Sequence, residues 1–348
     1  MSSNNKARNF QVYSGDETGG LVVDYGSHSS KFGFAGEDCP RISRRTQHHF
    51  AKDVAMGIAE LSVGEDRMDH PIIMTVPTLL SDQEKIERVG YLFECDAPAV
   101  FAIRSTVASA FAVGKSTALV VELGASAATV CPVYDGYGLL KATKVSEPCG
   151  GAAISKELEV LVKSWLPPPD ASAPWSKRSQ YLDRIDDIKH SCCFVQRTNL
   201  PDKRSADSEF PQKEYLLPDG KIVKLGTKRH DVCEGLFHHE TGLSSLIHDS
   251  ISACDPDLRR SFVQDILFVG GGSLLEGVVE RVGVDLANRL PLSFKPKISA
   301  PGTTTERRFS PFVGCSVLAS LGNFQQLWLS KKEWNEEGER LALDRFAN

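Results

Sequence analysis

Leu-Val-Val-Asp-Tyr-Gly-Ser-His at 21–28 and Leu-Val-Val-Glu-Leu-Gly-Ala-Ser at 119–126 are one pattern written twice. The second copy follows the first at a constant offset of 98 residues, Leu21 to Leu119, Asp24 to Glu122 and Gly26 to Gly124. In each, a β-rich apolar run delivers an acid to a strand end, and a glycine follows where the chain turns back. Amides in such a turn cradle phosphate, and two facing turns clamp it, with the acids beside a cation or a water. Two ordinary hairpins of an α/β protein give the same pattern in any single copy. The fixed offset and the matched acids argue instead for an internal duplication around one site.

A third glycine-rich element, Ile-Leu-Phe-Val-Gly-Gly-Gly-Ser-Leu-Leu-Glu-Gly at 266–277, reads as a strand entering a turn, with a helix expected from about Ser273. By itself it is a common α/β feature. With the two hairpins it suggests a nucleotide held between two halves.

The 348 residues suffice for a sizeable core in two or three domains. No apolar run reaches the roughly 18 residues that span a bilayer, and Met1 to Gln11 is polar, so the expectation is a cytosolic or nuclear protein with no membrane partner. Nine cysteines lack any C-x-x-C spacing and read as buried free thiols. A net charge of −5 argues against gripping nucleic acid through the whole surface. The basic cluster Arg41, Arg44 and Arg45, with His48 and His49, reads as a solvated loop more readily than as a phosphate-backbone site.

Strands alternate with helices along the chain, as in a mostly parallel or mixed sheet. Ser81 with Glu84 forms a capping box ahead of Ile86, Val89 and Phe93 on one helical face. A helix over about 104–113 ends at Gly114, and another over 155–165 ends at Pro167 to Pro169. The polar stretch 170–212 reads as peripheral, and Leu-Pro-Asp-Gly at 217–220 as a tight turn before a strand at 221–225.

The chain resembles the actin superfamily, and within it the nuclear actin-related proteins. The resemblance rests on Phe-Ala-Gly-Glu-Asp-Cys-Pro-Arg (34–41), His-Pro-Ile-Ile-Met-Thr (70–75), Tyr-Asp-Gly-Tyr (134–137), Leu-Pro-Asp-Gly (217–220), the glycine turn and the long run 306–334. The opening 11–20 and the ending 338–346 point to the nuclear branch. The fold implied is α/β, an actin-like two-lobed fold: duplicated ribonuclease-H-like domains around a nucleotide cleft, with a shortened small subdomain. The division implied is 1–40, 66–112 and 310–348 for the outer subdomain of the first lobe and 41–65 for the reduced small subdomain. In the second lobe, 113–148 with 239–309 forms the inner subdomain and 149–238 the peripheral one.

The resemblance implies ATP with Mg2+ or Ca2+ in the cleft. It assigns phosphate and base contacts to Asp24, Gly26, Ser27, Lys31, Glu122, Gly124, Lys189, Gly270, Gly271 and Arg308, with Asp24 and Glu122 beside the metal. Departures from the family pattern argue against hydrolysis. Glu122 replaces an Asp, Ala125 stands where a further acid belongs, and Ser105 falls at the water-positioning Gln. His28 replaces a phosphate-side Gly, His190 a ribose-side Glu, and Leu275 an aromatic. Residues 41–69 are far fewer than the family places there, and the missing loop is the one that reaches the next subunit of a filament, so no homopolymer is expected.

At the opposite end, the family's apolar groove maps to Phe111, Ala112, Gly114, Tyr137, Leu318, Leu321 and Leu327. Leu318 and Leu321 also sit at core helical spacing. The resulting expectation is a non-catalytic scaffold in the nucleus, and also in the cytoplasm. It would dock on an amphipathic helix of a chromatin-remodeller ATPase beside conventional actin, with other remodeller or acetyltransferase subunits and with histones or nucleosomes as further partners. The alternative is a nucleotide-dependent actin-like ATPase or a filament-associated cytoskeletal protein.

Overall fold

Each copy of the repeated pattern forms the central hairpin of a sheet. The computed structural model describes residues 19–61, 70–197, 212–226, 228–237 and 241–346. Most of the opening run 11–20 therefore lies outside the described residues. The first half runs β1 (Leu21–Tyr25), β2 (Ser29–Phe34), β3 (Ile42–Arg45), α1 (Phe50–Leu61), β4 (Ile72–Val76), α2 (Asp82–Glu94), β5 (Ala99–Arg104) and α3 (Ser105–Ala112). The repeat then continues with β6 (Ala118–Leu123), β7 (Ala128–Tyr134), β8 (Tyr137–Gly138), β9 (Lys144–Ser146), α4 (Gly151–Val162) and α5 (Trp175–Cys192). Next come β10 (Lys213–Leu216), β11 (Ile222–Leu225), α6 (Lys228–Glu234), α7 (Leu243–Ala253), α8 (Pro256–Gln264), β12 (Ile266–Val269) and α9 (Val278–Arg289). The chain closes with β13 (Ile298–Ser299), α10 (Thr304–Arg308), α11 (Ser310–Ser320), β14 (Leu329–Ser330) and α12 (Lys331–Arg345).

The two large sheets share one plan. In the order β14-β5-β4-β1-β2-β3, β1 pairs antiparallel with β2 and parallel with β4, which is itself parallel to β5. In the order β13-β12-β6-β7-β8, with β9 also on β7, β6 pairs antiparallel with β7 and parallel with β12, which is parallel to β13. The register carries the duplication to the residue, since Asp24 opposes Lys31 and Glu122 opposes Thr129.

Strand alternation divides the second sheet's faces. Val120, Val133 and Val269 join the core that holds the first sheet, while Leu119, Val121 and Phe268 join the core under the outer helices. Between the sheets, α3 and α11 cross at Gly314, where an added Cβ would stand 1.8 Å from the Ala108 carbonyl oxygen. Only glycine allows that approach.

Local signals hold at several helix ends. The Ser81–Glu84 capping box starts α2, and Gly114 has φ +69 just past α3. The helix expected over 155–165 starts earlier and spans Gly151–Val162. The third glycine turn departs from expectation. Gly271–Leu274 forms a 3-10 turn, Gly277 takes φ +83, and α9 starts only at Val278, because a left-handed residue cannot continue a right-handed helix. The stretch read as peripheral also differs: α5 buries Tyr181, Ile185, Ile188 and Cys192 on one face and belongs to the second core. In 41–65, β3 extends the first sheet and α1 packs Val54 and Ile58 into its core. The nine cysteines are free thiols, of which Cys39 is exposed and Cys95 half-buried. Among the described residues no helix is long and apolar enough to cross a membrane.

Candidate functional site: a cleft between the two hairpins

The turns after β1 and β6 face each other across a cleft of about 610 Å3, with the Ser126 amide donating to Ser27 Oγ at 3.3 Å. All ten residues assigned to the nucleotide from the sequence line this cleft: Asp24, Gly26, Ser27, Lys31, Glu122, Gly124, Lys189, Gly270, Gly271 and Arg308. Thr75, the last residue of the 70–75 motif, lines it too, as do Asp186 and Thr304, which no sequence pattern marked.

Each turn is held by its backbone. The Gly26 amide donates to the Ser29 carbonyl and the Gly124 amide to the Ala127 carbonyl, so both hairpins close in the same way. The second turn is further braced on the start of α4, where the Gly151 and Ala152 amides donate to the Gly124 and Ala125 carbonyls. The third turn is pressed against β6: Gly270 has φ +88, and a Cβ there would meet the Leu123 carbonyl oxygen at 2.5 Å. Beside it, Gly271 has nothing within 4 Å of an added Cβ and forms the open wall.

The polar side chains are largely satisfied by one another. Asp24 accepts from Thr75 Oγ1 at 2.6 Å and pairs with Lys31 Nζ at 2.9 Å. Glu122 accepts from Ser105 Oγ at 2.7 Å. The shorter residue at the water-positioning site and the longer acid on the strand thus meet directly. Burial pushes the Glu122 carboxyl up, the Ser105 hydrogen bond opposes that, and Asp24 adds to the rise. Lys189 Nζ is held by Asp186 at 2.8 Å, by Ser155 Oγ at 2.9 Å and by the Gly151 carbonyl at 3.4 Å, which ties α5 to α4.

His28 lies 3.6 Å from Asp186. Burial lowers its pKa to about 4; Asp186 raises it, and Arg45, Lys189 and Arg308 lower it again. At neutral pH this imidazole is uncharged, so its contact with Asp186 is not an ion pair. His190 is lowered as well, by burial first and then by Lys189. Arg308 is exposed, with its guanidinium over the Phe309 ring. Leu275 lines the cleft but is buried in the second core.

At the other end of the α3–α11 pair the predicted groove residues separate. Tyr137, Leu321 and Leu327 are 57%, 44% and 46% exposed, and Gly114 is exposed as well. Phe111 and Ala112 are half-buried, with the Phe111 ring against Gly136. Leu318 corrects the expectation: at 9% exposure it belongs to the first core, because its position on α11 faces the sheet. Tyr134 and Val317, which were not assigned to the groove from the sequence, are exposed at 45% and 41%.

The family model for actin matches residues 48–347. The chain belongs to the actin family. Among curated relatives, actin-related protein 4 of Arabidopsis thaliana is 30% identical, covering 94% of this chain and 98% of that one. Actin-related protein 4 of Yarrowia lipolytica is 28% identical over 94% and 96%, and that of Schizosaccharomyces pombe 27% over 95% and 98%. The Arabidopsis alignment spans 436 positions against 348 residues here, so that relative carries segments this chain lacks.

Actin-family proteins bind ATP with a divalent cation. The residues present fit a cation carried in with phosphates better than a resident metal. Three carboxylates line the cleft, Asp24, Glu122 and Asp186, the last already engaged by Lys189, and among the described residues no cluster of three His, Cys, Asp or Glu side chains stands ready to hold an ion. Mg2+ typically takes one or two carboxylates and completes its shell with waters and phosphate oxygens.

Proposed function

We propose that this chain is a non-catalytic, nuclear actin-related scaffold subunit of a chromatin-remodelling or histone-acetyltransferase complex. It docks on an amphipathic helix of the remodeller ATPase, together with actin. The observation that carries this reading is the apolar end of the α3–α11 pair, where Tyr137, Leu321 and Leu327 present large side chains about half exposed. Large apolar groups held in water mark an interaction surface, and an amphipathic helix would cover them through anchors at i, i+3, i+4 and i+7. The similarity to actin-related protein 4 relatives supports the assignment to that branch.

The cleft supports the non-catalytic part. Hydrolysis needs a polar group aimed at the attacking water, and here Ser105 is spent on Glu122 while residue 125 is an alanine. In this reading Asp24, Lys31 and the turn glycines still admit ATP, with Asp24 and Glu122 near its cation.

The test is Leu321→Asp in the full chain, with folding checked by circular dichroism. Loss of the remodeller ATPase from the copurified material is expected. A folded variant that retains the ATPase in normal yield refutes the docking site.

A further inference from the structure

Arg45 closes β3 in the first sheet, and Asp183 and Asp186 lie one turn apart on α5 in the second core. The Arg45 Nε and Nη2 donate to Asp183 Oδ1 at 3.1 and 2.7 Å, and Nη2 donates to Asp186 Oδ2 at 2.5 Å. The guanidinium thus links the first sheet to α5 beside the cleft that Asp186 lines, and grips two carboxylates with one planar fork, a geometry that lysine cannot reproduce. Arg45 and Asp186 are mostly shielded from water, at 15% and 18% side-chain exposure. Asp186 lies among basic groups from both lobes, with Lys189 on its other oxygen and His28 at 3.6 Å. The Ser126–Ser27 hydrogen bond adds a second bridge between the turns.

We propose that Arg45 and Asp186 form a latch that holds the cleft closed without a nucleotide. Asp186 acts as an internal anion, engaging the cations that a ligand's phosphates would need. The relation of the lobes is then set by the chain itself, and a polyphosphate enters only by displacing Asp186. An affinity that depends on a minor open state is weakened by the fraction of molecules open, so releasing the latch tightens binding. This holds whether or not the apolar groove takes a helix, and the nucleotide serves only as a probe.

The full chain is compared with Asp186→Asn and Arg45→Gln by hydrogen exchange without ligand and by MgATP titration. Amides of 26–29 and 124–127 exchange at least about tenfold faster in both variants, and Asp186→Asn binds MgATP at least about tenfold more tightly than the parent. If Asp186→Asn folds poorly, Arg45→Lys, which keeps the charge and loses the two-carboxylate grip, shows the same faster exchange. Unchanged exchange in the folded variants overturns the latch. Equal or weaker MgATP binding by Asp186→Asn, or binding by neither protein, overturns the role of Asp186 as internal anion.

Discussion

The cleft and the apolar end of the α3–α11 pair treat their ligand-capable groups in opposite ways. In the cleft, Asp24 is matched by Thr75 and Lys31, Glu122 by Ser105, and Lys189 by Asp186. At the apolar end, Tyr137, Leu321 and Leu327 keep about half their surface in water. A buried polar group is costly until it is paired, and an apolar surface is costly until it is covered. The cleft has met its requirement internally, whereas the groove has not. In the proposed reading, the place where this protein meets another molecule is the groove.

The largest expected effect would break the comparison at the cleft. With Ser105 bound to Glu122 and alanine at 125, phosphate release from ATP should run at least about 10²-fold slower than in a conventional actin. It should also be no faster than in an Asp24→Ala control. Turnover at an actin-like rate, abolished in that control, would show that the cleft remains a working site.

The next effect sharpens the groove. An apolar anchor at an interface is worth about 1.5 to 3 kcal/mol, so Leu321→Asp should weaken helix binding on the order of a hundredfold. Leu318→Ala should behave differently, because that residue belongs to the core. It lowers the free energy of unfolding by the cost of a core cavity, about 2 kcal/mol or more, with a smaller change in binding by the protein that remains folded.

Acid stability probes the closed cleft. His28 is held down to about 4 from 6.5, first by burial. A base with a depressed folded pKa leaves the unfolded chain binding more protons between those values. Its contribution is therefore complete above about 6.5 and is lost as pH falls through about 4. The shift sets a ceiling of about 3 kcal/mol, reduced by the partial exposure of the ring. Denaturant titrations from pH 7 to pH 4 should show a smaller loss in His28→Gln than in the parent, and parallel losses would place the imidazole in open solvent.

The smallest effect concerns Glu122. Its raised pKa means that stability present below 4.5 is lost as pH rises through the higher folded value, so the ionised carboxylate is a burden on the ligand-free protein. Glu122→Gln should raise stability at pH 7, while keeping an acceptor for Ser105. A lower melting temperature would show that the charge is already compensated.

The sequence made some of this legible and hid the rest for definable reasons. The duplicated turns were readable because each depends on a local run, an acid and a glycine, and the structure places both at the centres of matched sheets. The turn acids and glycines of the cleft follow from the local pattern, but Lys31, Lys189 and Arg308 were reachable only through the family resemblance, since nothing local connects Lys189 on α5 to Gly26 after β1. Polar composition concealed α5, whose buried apolar residues 181, 185, 188 and 192 form a narrow face among charged neighbours. The start of α9 differs from the expected Ser273 because Gly277 takes a left-handed φ that the local run does not reveal, and the helix begins only after it. Arg45 read as part of a solvated basic loop. Its partner Asp186 lies 141 residues away, a separation no local pattern spans.

The central claim is that the groove, not the cleft, is where this protein meets its partner. Two full-length variants tested together bear on it most directly: Leu321→Asp, which charges the groove, and Gly271→Trp, which puts an indole into the open wall of the cleft. With both confirmed folded by circular dichroism, the yield of copurified remodeller ATPase is measured against the parent. The account predicts that Leu321→Asp loses at least about nine-tenths of that yield while Gly271→Trp keeps most of it. Retention by Leu321→Asp with loss by Gly271→Trp would contradict the account and return the function to the cleft.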